Sequence, residues 1–140
     1  MIRPGVDSEK VRIGLKNRGR MNKKVKDIQE ILEAEVLSGE DKLEAEVKYV
    51  GAADMMSDIL ALAKPGMIVL TGYTYPQVIR TALVTELLGL VVVRGKYVPP
   101  ETIEMARENN LLLLRTKNFM YSSCGKLYAL ELQGIDERKL

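Results

Sequence analysis

Three runs of four apolar residues constrain this chain more than any other feature: Met67-Ile68-Val69-Leu70, Leu90-Val91-Val92-Val93 and Leu111-Leu112-Leu113-Leu114. A strand with one wet face alternates apolar and polar residues, whereas a strand covered on both faces has no polar positions to offer. Between the runs lie two segments that read as helices. Residues 77–88 follow Pro76 and stop at Gly89, and residues 100–109 follow Pro99 and end in the Asn109-Asn110 pair. Strand, helix, strand, helix, strand requires crossover connections and so predicts a parallel sheet.

In an open sheet of this kind, ligands bind beyond the carboxyl ends of the strands. Those ends run into Thr71-Gly72-Tyr73-Thr74-Tyr75, Arg94-Gly95-Lys96-Tyr97 and Arg115-Thr116-Lys117-Asn118. A parallel sheet therefore brings Arg94, Lys96, Arg115 and Lys117 to one rim. The loop from Thr71 to Pro76 adds hydroxyl-bearing side chains and the unpaired amides of a helix start, which suit a phosphate or carboxylate. The plainer reading is that strand-to-helix loops are charged and polar because they are wet. The chain holds neither the Gly-x-x-x-x-Gly-Lys-Ser/Thr loop of P-loop NTPases nor a Gly-x-Gly-x-x-Gly dinucleotide fingerprint.

A length of 140 residues suits one domain with a flanking tail, and 46% apolar content suits a packed core. There is no histidine, so the commonest general base and metal ligand is missing. The single cysteine, Cys124, has no partner within the chain for a disulfide and reads as a small buried residue rather than a nucleophile. Ser122 and Ser123 have no histidine to activate them. Asp54 and Asp58 lie four apart on one helix face, where carboxylates can hold Mg²⁺. Without further ligands, Asp54 reads as a helix cap and Asp58 as solvated. No metal or cofactor is expected. No apolar run approaches membrane-span length, and the first residues lack an apolar signal core, so a cytoplasmic location is expected.

Charge is unevenly placed. Residues 1–26 hold nine Lys/Arg against Asp7 and Glu9, net +7, while the remainder holds 12 basic and 17 acidic residues, net −5. A basic arm can bind nucleic acid, but it lacks aromatics for base stacking, since the first tyrosine is Tyr49. Residues 1–21 thus read as a solvated arm, 22–133 as the folded domain and 134–140 as a charged tail. Within the domain, Asn22 is a plausible cap for a helix carrying Val25, Ile28, Ile31 and Leu32 and stopping near Ala34. Glu35-Val36-Leu37 follows as a short strand. Ala45, Val47 and Tyr49 alternate with Glu46 and Lys48, which predicts a strand over 45–50 closed by Gly51. Asp54 is placed to cap a helix over 55–63 with Met55, Ile59 and Leu62 on one face. Lys64-Pro65-Gly66 ends that helix. Asn118 is placed to cap a last helix over 119–132, with a break at Gly125.

Several blocks resemble the DRTGG domain in order and spacing: Val36-Leu37-Ser38-Gly39-Glu40, Val47-Lys48-Tyr49-Val50-Gly51-Ala52, and Lys64-Pro65-Gly66-Met67-Ile68-Val69-Leu70-Thr71-Gly72. Val91-Val92-Val93-Arg94-Gly95-Lys96 and Leu111-Leu112-Leu113-Leu114-Arg115-Thr116 continue the match. This later block, with Pro99-Pro100-Glu101 as a helix start, is also similar to the N-terminal domain of HPr kinase/phosphorylase. The name-giving motif is altered: Gly72-Tyr73-Thr74 stands for its Gly-Asp-Arg part and Arg94-Gly95-Lys96 for its Thr-Gly-Gly part. The resemblance implies a three-layer α/β/α domain with a mostly parallel central sheet. It also implies a regulatory companion of other domains, such as CBS modules in regulated pyrophosphatases, that often dimerises. It carries over no catalytic residue.

The expected function is therefore non-catalytic: a regulatory or ligand-sensing domain, acting as a homodimer or through a partner enzyme. Its expected ligand is an anionic metabolite or nucleotide, held by Thr71, Gly72, Tyr73, Thr74, Arg94, Gly95, Lys96, Arg115, Thr116 and Lys117. The alternatives are a small Mg²⁺-dependent enzyme of phosphate or acyl chemistry using Asp54 and Asp58, and a nucleic-acid contact through the basic arm.

Overall fold

The computed structural model describes residues 23–134. The expectations for the basic arm, for Asn22 as a cap and for the tail beyond Gly134 lie outside these residues. The elements run α1 (Val25–Ile31), β1 (Glu35–Ser38), a 3₁₀ turn (Glu40–Lys42), β2 (Tyr49–Ala52), α2 (Met56–Leu62), β3 (Met67–Thr71), α3 (Gln77–Val84), β4 (Gly89–Val92), α4 (Pro100–Glu108), β5 (Leu112–Arg115) and α5 (Met120–Ala129). The sheet order is β1-β5-β4-β3-β2. Strands β2, β3, β4 and β5 are mutually parallel, and β1 pairs antiparallel with β5 at one edge.

The three apolar runs divide their side chains between two cores, because successive strand residues face opposite ways. Ile68, Leu70, Val91, Val93, Leu112 and Leu114 join Val25 and Ile28 of α1, Leu32 just after it, and Leu127 of α5. Met67, Val69, Leu90, Val92, Leu111 and Leu113 join Ile59 of α2, Val78, Ile79 and Ala82 of α3, and Ala106 of α4. Helices thus cover both faces, giving the three layers. Removing a large side chain from either core leaves a cavity, at about 2–5 kcal/mol for a leucine cut to alanine.

Close packing fixes some small residues. A Cβ on Gly89 would sit 2.6 Å from Leu112 Cβ and 2.7 Å from the Leu112 carbonyl oxygen. Leu112 and Gly89 are register partners of the parallel β4–β5 pair, so the leucine fills the space a side chain at 89 would need.

Several element boundaries differ from the sequence reading. The alternation over 45–50 is real, but residues 45–47 pair with the lead-in to α1 rather than with the sheet. Val25 N–H donates to the Ala45 carbonyl at 3.0 Å and Val47 N–H to the Lys23 carbonyl at 2.8 Å, around a Lys24–Glu46 bridge. Strand β2 accordingly starts at Tyr49 and continues through Gly51 to Ala52. Helix α3 ends at Val84, where the Thr85 hydroxyl donates to the Thr81 carbonyl at 2.7 Å. Gly89 belongs to β4 rather than stopping that helix; the chain turns at Glu86, whose φ is +57°. Helix α2 buries only Ile59, with Met55 outside the helix and 63% exposed and Leu62 56% exposed. Helix α5 passes through Gly125 unbroken and ends at Ala129. Cys124 is half-buried rather than fully buried.

Candidate functional site

The carboxyl ends of β2, β3, β4 and β5 point the same way, so the loops after them share one rim. The β4 and β5 loops are joined by backbone bonds. Arg94 N–H donates to the Asn118 carbonyl and Gly95 N–H to the Thr116 carbonyl, both at 2.8 Å. Making that contact puts Arg94 at φ +64° and Gly95 at φ +58°. The left-handed region suits glycine and costs an ordinary residue about 1–2 kcal/mol. Lys117 lies beside this turn, its Cγ 3.7 Å from where a Cβ on Gly95 would stand. Lys96 reaches toward β3, its Cδ 3.8 Å from the Cβ position of Gly72. The two tripeptides Gly72-Tyr73-Thr74 and Arg94-Gly95-Lys96 therefore lie side by side in the loops after neighbouring strands.

Not every residue on the rim is open to a ligand. Arg115 Nε donates to Glu35 Oε1 at 2.6 Å, and its terminal nitrogen donates to the Lys96 carbonyl at 3.4 Å. Glu35 on β1 thus neutralises one of the four cations. Thr71 and Thr116 are buried, and both hydroxyls serve the fold. Thr116 Oγ1 donates to the Leu32 carbonyl at 2.7 Å and accepts the Asn118 amide at 3.2 Å. Thr71 Oγ1 accepts the Tyr73 amide at 3.1 Å. Thr74 is buried, and its carbonyl accepts the Thr102 hydroxyl at 2.8 Å. Among the described residues, the side chains of Arg94, Lys96 and Lys117 have no hydrogen-bonding or ionic partner. Tyr73 is half-buried and meets the exposed Tyr75 edge-on, with ring centroids 5.8 Å apart.

Asp54 corrects the sequence reading most. It does not cap α2: Met55 holds the N-cap position without a side-chain bond, and the helix starts at Met56. Asp54 also lies outside the helix that carries Asp58, so the two carboxylates do not share a helix face. Asp54 Oδ1 instead accepts the Gly72 amide at 2.7 Å, with the Thr71 hydroxyl at 3.5 Å. The loop amide that an incoming anion would use is held by the chain's own carboxylate. The signal in the sequence was Asp54 two residues past β2, facing a glycine at the end of the neighbouring strand. Asn118 likewise does not cap α5. Phe119 takes that place, and the Asn118 side chain bonds Leu32, Thr116 and Lys126.

Several cavities among the described residues lie away from this rim, including one of about 420 Å³ bounded by Lys23, Lys48 and Gln133 and one of about 310 Å³ bounded by β2, Cys124 and Tyr128.

The family model for the DRTGG domain matches residues 27–128. The chain belongs to the DRTGG domain family. No curated protein matches it in sequence. Among solved structures, this DRTGG domain is similar to the CBS and DRTGG domains of the regulatory region of Clostridium perfringens pyrophosphatase, solved in complex with the activator diadenosine tetraphosphate. The identity is 17% and the TM-score 0.63; the match covers 94% of this chain and 59% of the other. The likeness shows a shared α/β fold with the mostly parallel five-stranded sheet. This chain thus spans under two thirds of the length of the clostridial chain.

Proposed function

We propose that this DRTGG domain is a non-catalytic regulatory module that senses a phosphorylated nucleotide or similar anionic metabolite at the carboxyl-end rim of its sheet. The observation that carries the reading is the convergence of Arg94, Lys96 and Lys117, none of them paired among the described residues, on the loops after β4 and β5. Charge-assisted bonds from such groups to phosphate are shorter and stronger than neutral ones. The clostridial regulatory region, which carries a DRTGG domain and binds a nucleotide activator, supports the same ligand class. The chain contains no histidine, and Asp54 is engaged with Gly72 rather than poised beside a nucleophile.

A regulatory module must pass its signal on, and we assign that task to a second copy of the chain or to a partner enzyme. Met55, Leu60 and Leu62 around α2 and Phe119, Tyr121 and Tyr128 around α5 are exposed apolar side chains suited to such contacts. A cytoplasmic setting fits this role, and no helix among the described residues is long and apolar enough to cross a membrane.

A thermal-shift panel of phosphate-bearing metabolites tests the ligand class. It should include mononucleotides, diadenosine tetraphosphate and inorganic tripolyphosphate. A ligand that binds only the folded state raises the melting temperature with concentration. The reading expects a shift with at least one nucleotide, and a flat panel counts against it.

A further inference from the structure

Resting on the rim reading above, we propose that Asp54 is a specificity-determining residue. Its carboxylate receives the hydrogen-bond donors of a nucleoside, either sugar hydroxyls or a base amino group, while the phosphates lie against Arg94, Lys96 and Lys117.

The rim is electrically polar along its length. The strand order places Lys117 beyond β5, Arg94 and Lys96 beyond β4, Gly72 beyond β3 and Asp54 beyond β2. Neighbouring strands stand about 4.8 Å apart, so Lys117 and Asp54 lie up to three spacings apart, roughly 14 Å, with Lys96 reaching between them toward Gly72. A bare phosphate is too small to bridge that span, whereas a nucleoside polyphosphate has an anionic end and a donor-bearing end. Glu35 removes Arg115 from the cationic set, so positive charge concentrates on the β4 and β5 loops.

The Asp54 end is built to repel phosphate and accept donors. Oδ1 is spent on the Gly72 amide at 2.7 Å, and Oδ2 accepts nothing among the described residues. Both oxygens flank the bare Cα of Gly72, at 3.4 and 3.8 Å from where a Cβ would stand, with Lys96 Cδ 3.8 Å from the same point. An anion arriving there finds the amide taken and a like charge beside it. A hydroxyl or amino group finds a carboxylate acceptor already oriented by the Gly72 amide, which lessens the ordering cost. The exposed ring of Tyr75, held edge-on by Tyr73, adds a surface for a base on the loop after β3.

The test is calorimetric titration of the full chain with ATP and, separately, with inorganic tripolyphosphate, for wild type and for Asp54→Asn. The asparagine keeps an oxygen for the Gly72 amide and removes the charge, and a melting curve confirms that the variant folds. In the variant, ATP should bind at least threefold more weakly and tripolyphosphate at least threefold more tightly. The ratio of the two affinities then moves about tenfold or more. If both ligands bind wild type and their ratio does not move, Asp54 is not a specificity residue, although the rim reading stands. If wild type binds tripolyphosphate but not ATP, the nucleoside end is not read and the inference fails. If wild type binds neither, the rim reading itself falls, and this inference with it.

Discussion

Arg115 Nε sits 2.6 Å from Glu35 Oε1, joining the last residue of β5 to the first of the antiparallel edge strand β1. The pair is part-exposed, so its stability contribution falls in the range of surface ion pairs, about 0–1 kcal/mol. Its larger effect is on the rim, where it cancels a cation. Glu35→Ala should leave urea unfolding within about 1 kcal/mol of wild type. The same change should tighten tripolyphosphate binding and steepen its salt dependence, as read by calorimetry at two ionic strengths.

The pairing also marks how far a sequence can be read. The residues are 80 positions apart, and nothing local links them. The same holds for Asp54, whose spacing to the next helix suits a cap. Its actual partner, Gly72, becomes a neighbour only once β2 and β3 pair. The three apolar runs, by contrast, were legible because burial on both faces leaves its mark on every residue. The 45–50 alternation was legible as a half-buried extended segment. Its partners were not, because residues 45–47 pair with Lys23 and Val25 and only Tyr49 and Val50 enter the sheet.

Two glycines should respond in opposite directions. Gly89→Ala would push a Cβ to within 2.6–2.8 Å of Leu112 atoms, and of these the Cβ and the backbone carbonyl cannot swing aside. Overpacking of this kind costs about 1–3 kcal/mol. Gly125 lies inside α5, exposed, with nothing within 4 Å of its Cβ position. Gly125→Ala should stabilise the fold by about 0.5–1 kcal/mol through helix propensity. Urea unfolding of both variants measures the pair of effects.

Thr116 holds the β5 loop to the end of α1. Thr116→Val keeps the shape but leaves the buried Leu32 carbonyl and the Asn118 amide without this hydroxyl. A buried group stranded in this way costs about 1–3 kcal/mol. Part of the loss is offset because the Asn118 side-chain amide also bonds the Leu32 carbonyl, at 3.0 Å. The expected outcome is a lowered urea midpoint with an unchanged slope.

Burial raises the Cys124 thiol above its ordinary value. An acid with a raised folded-state pKa keeps its proton where the unfolded chain has already lost one, so stability falls as pH rises through that alkaline window. The thiol should therefore react with iodoacetamide at pH 8 more slowly in the native state than in urea. The Cys124→Ala variant should lose that share of the alkaline destabilisation.

The central claim is that Arg94, Lys96 and Lys117 form a phosphate-reading rim. It is tested most directly by calorimetric titration of nucleoside triphosphate into wild type and into Arg94→Ala/Lys96→Ala/Lys117→Ala. Among the described residues all three side chains are unpaired, and all are at least partly exposed, so the variant should melt near the wild-type temperature. The account predicts binding by wild type and a loss of at least tenfold in the variant, about 1.4 kcal/mol or more. Binding that survives the triple substitution unchanged would contradict it.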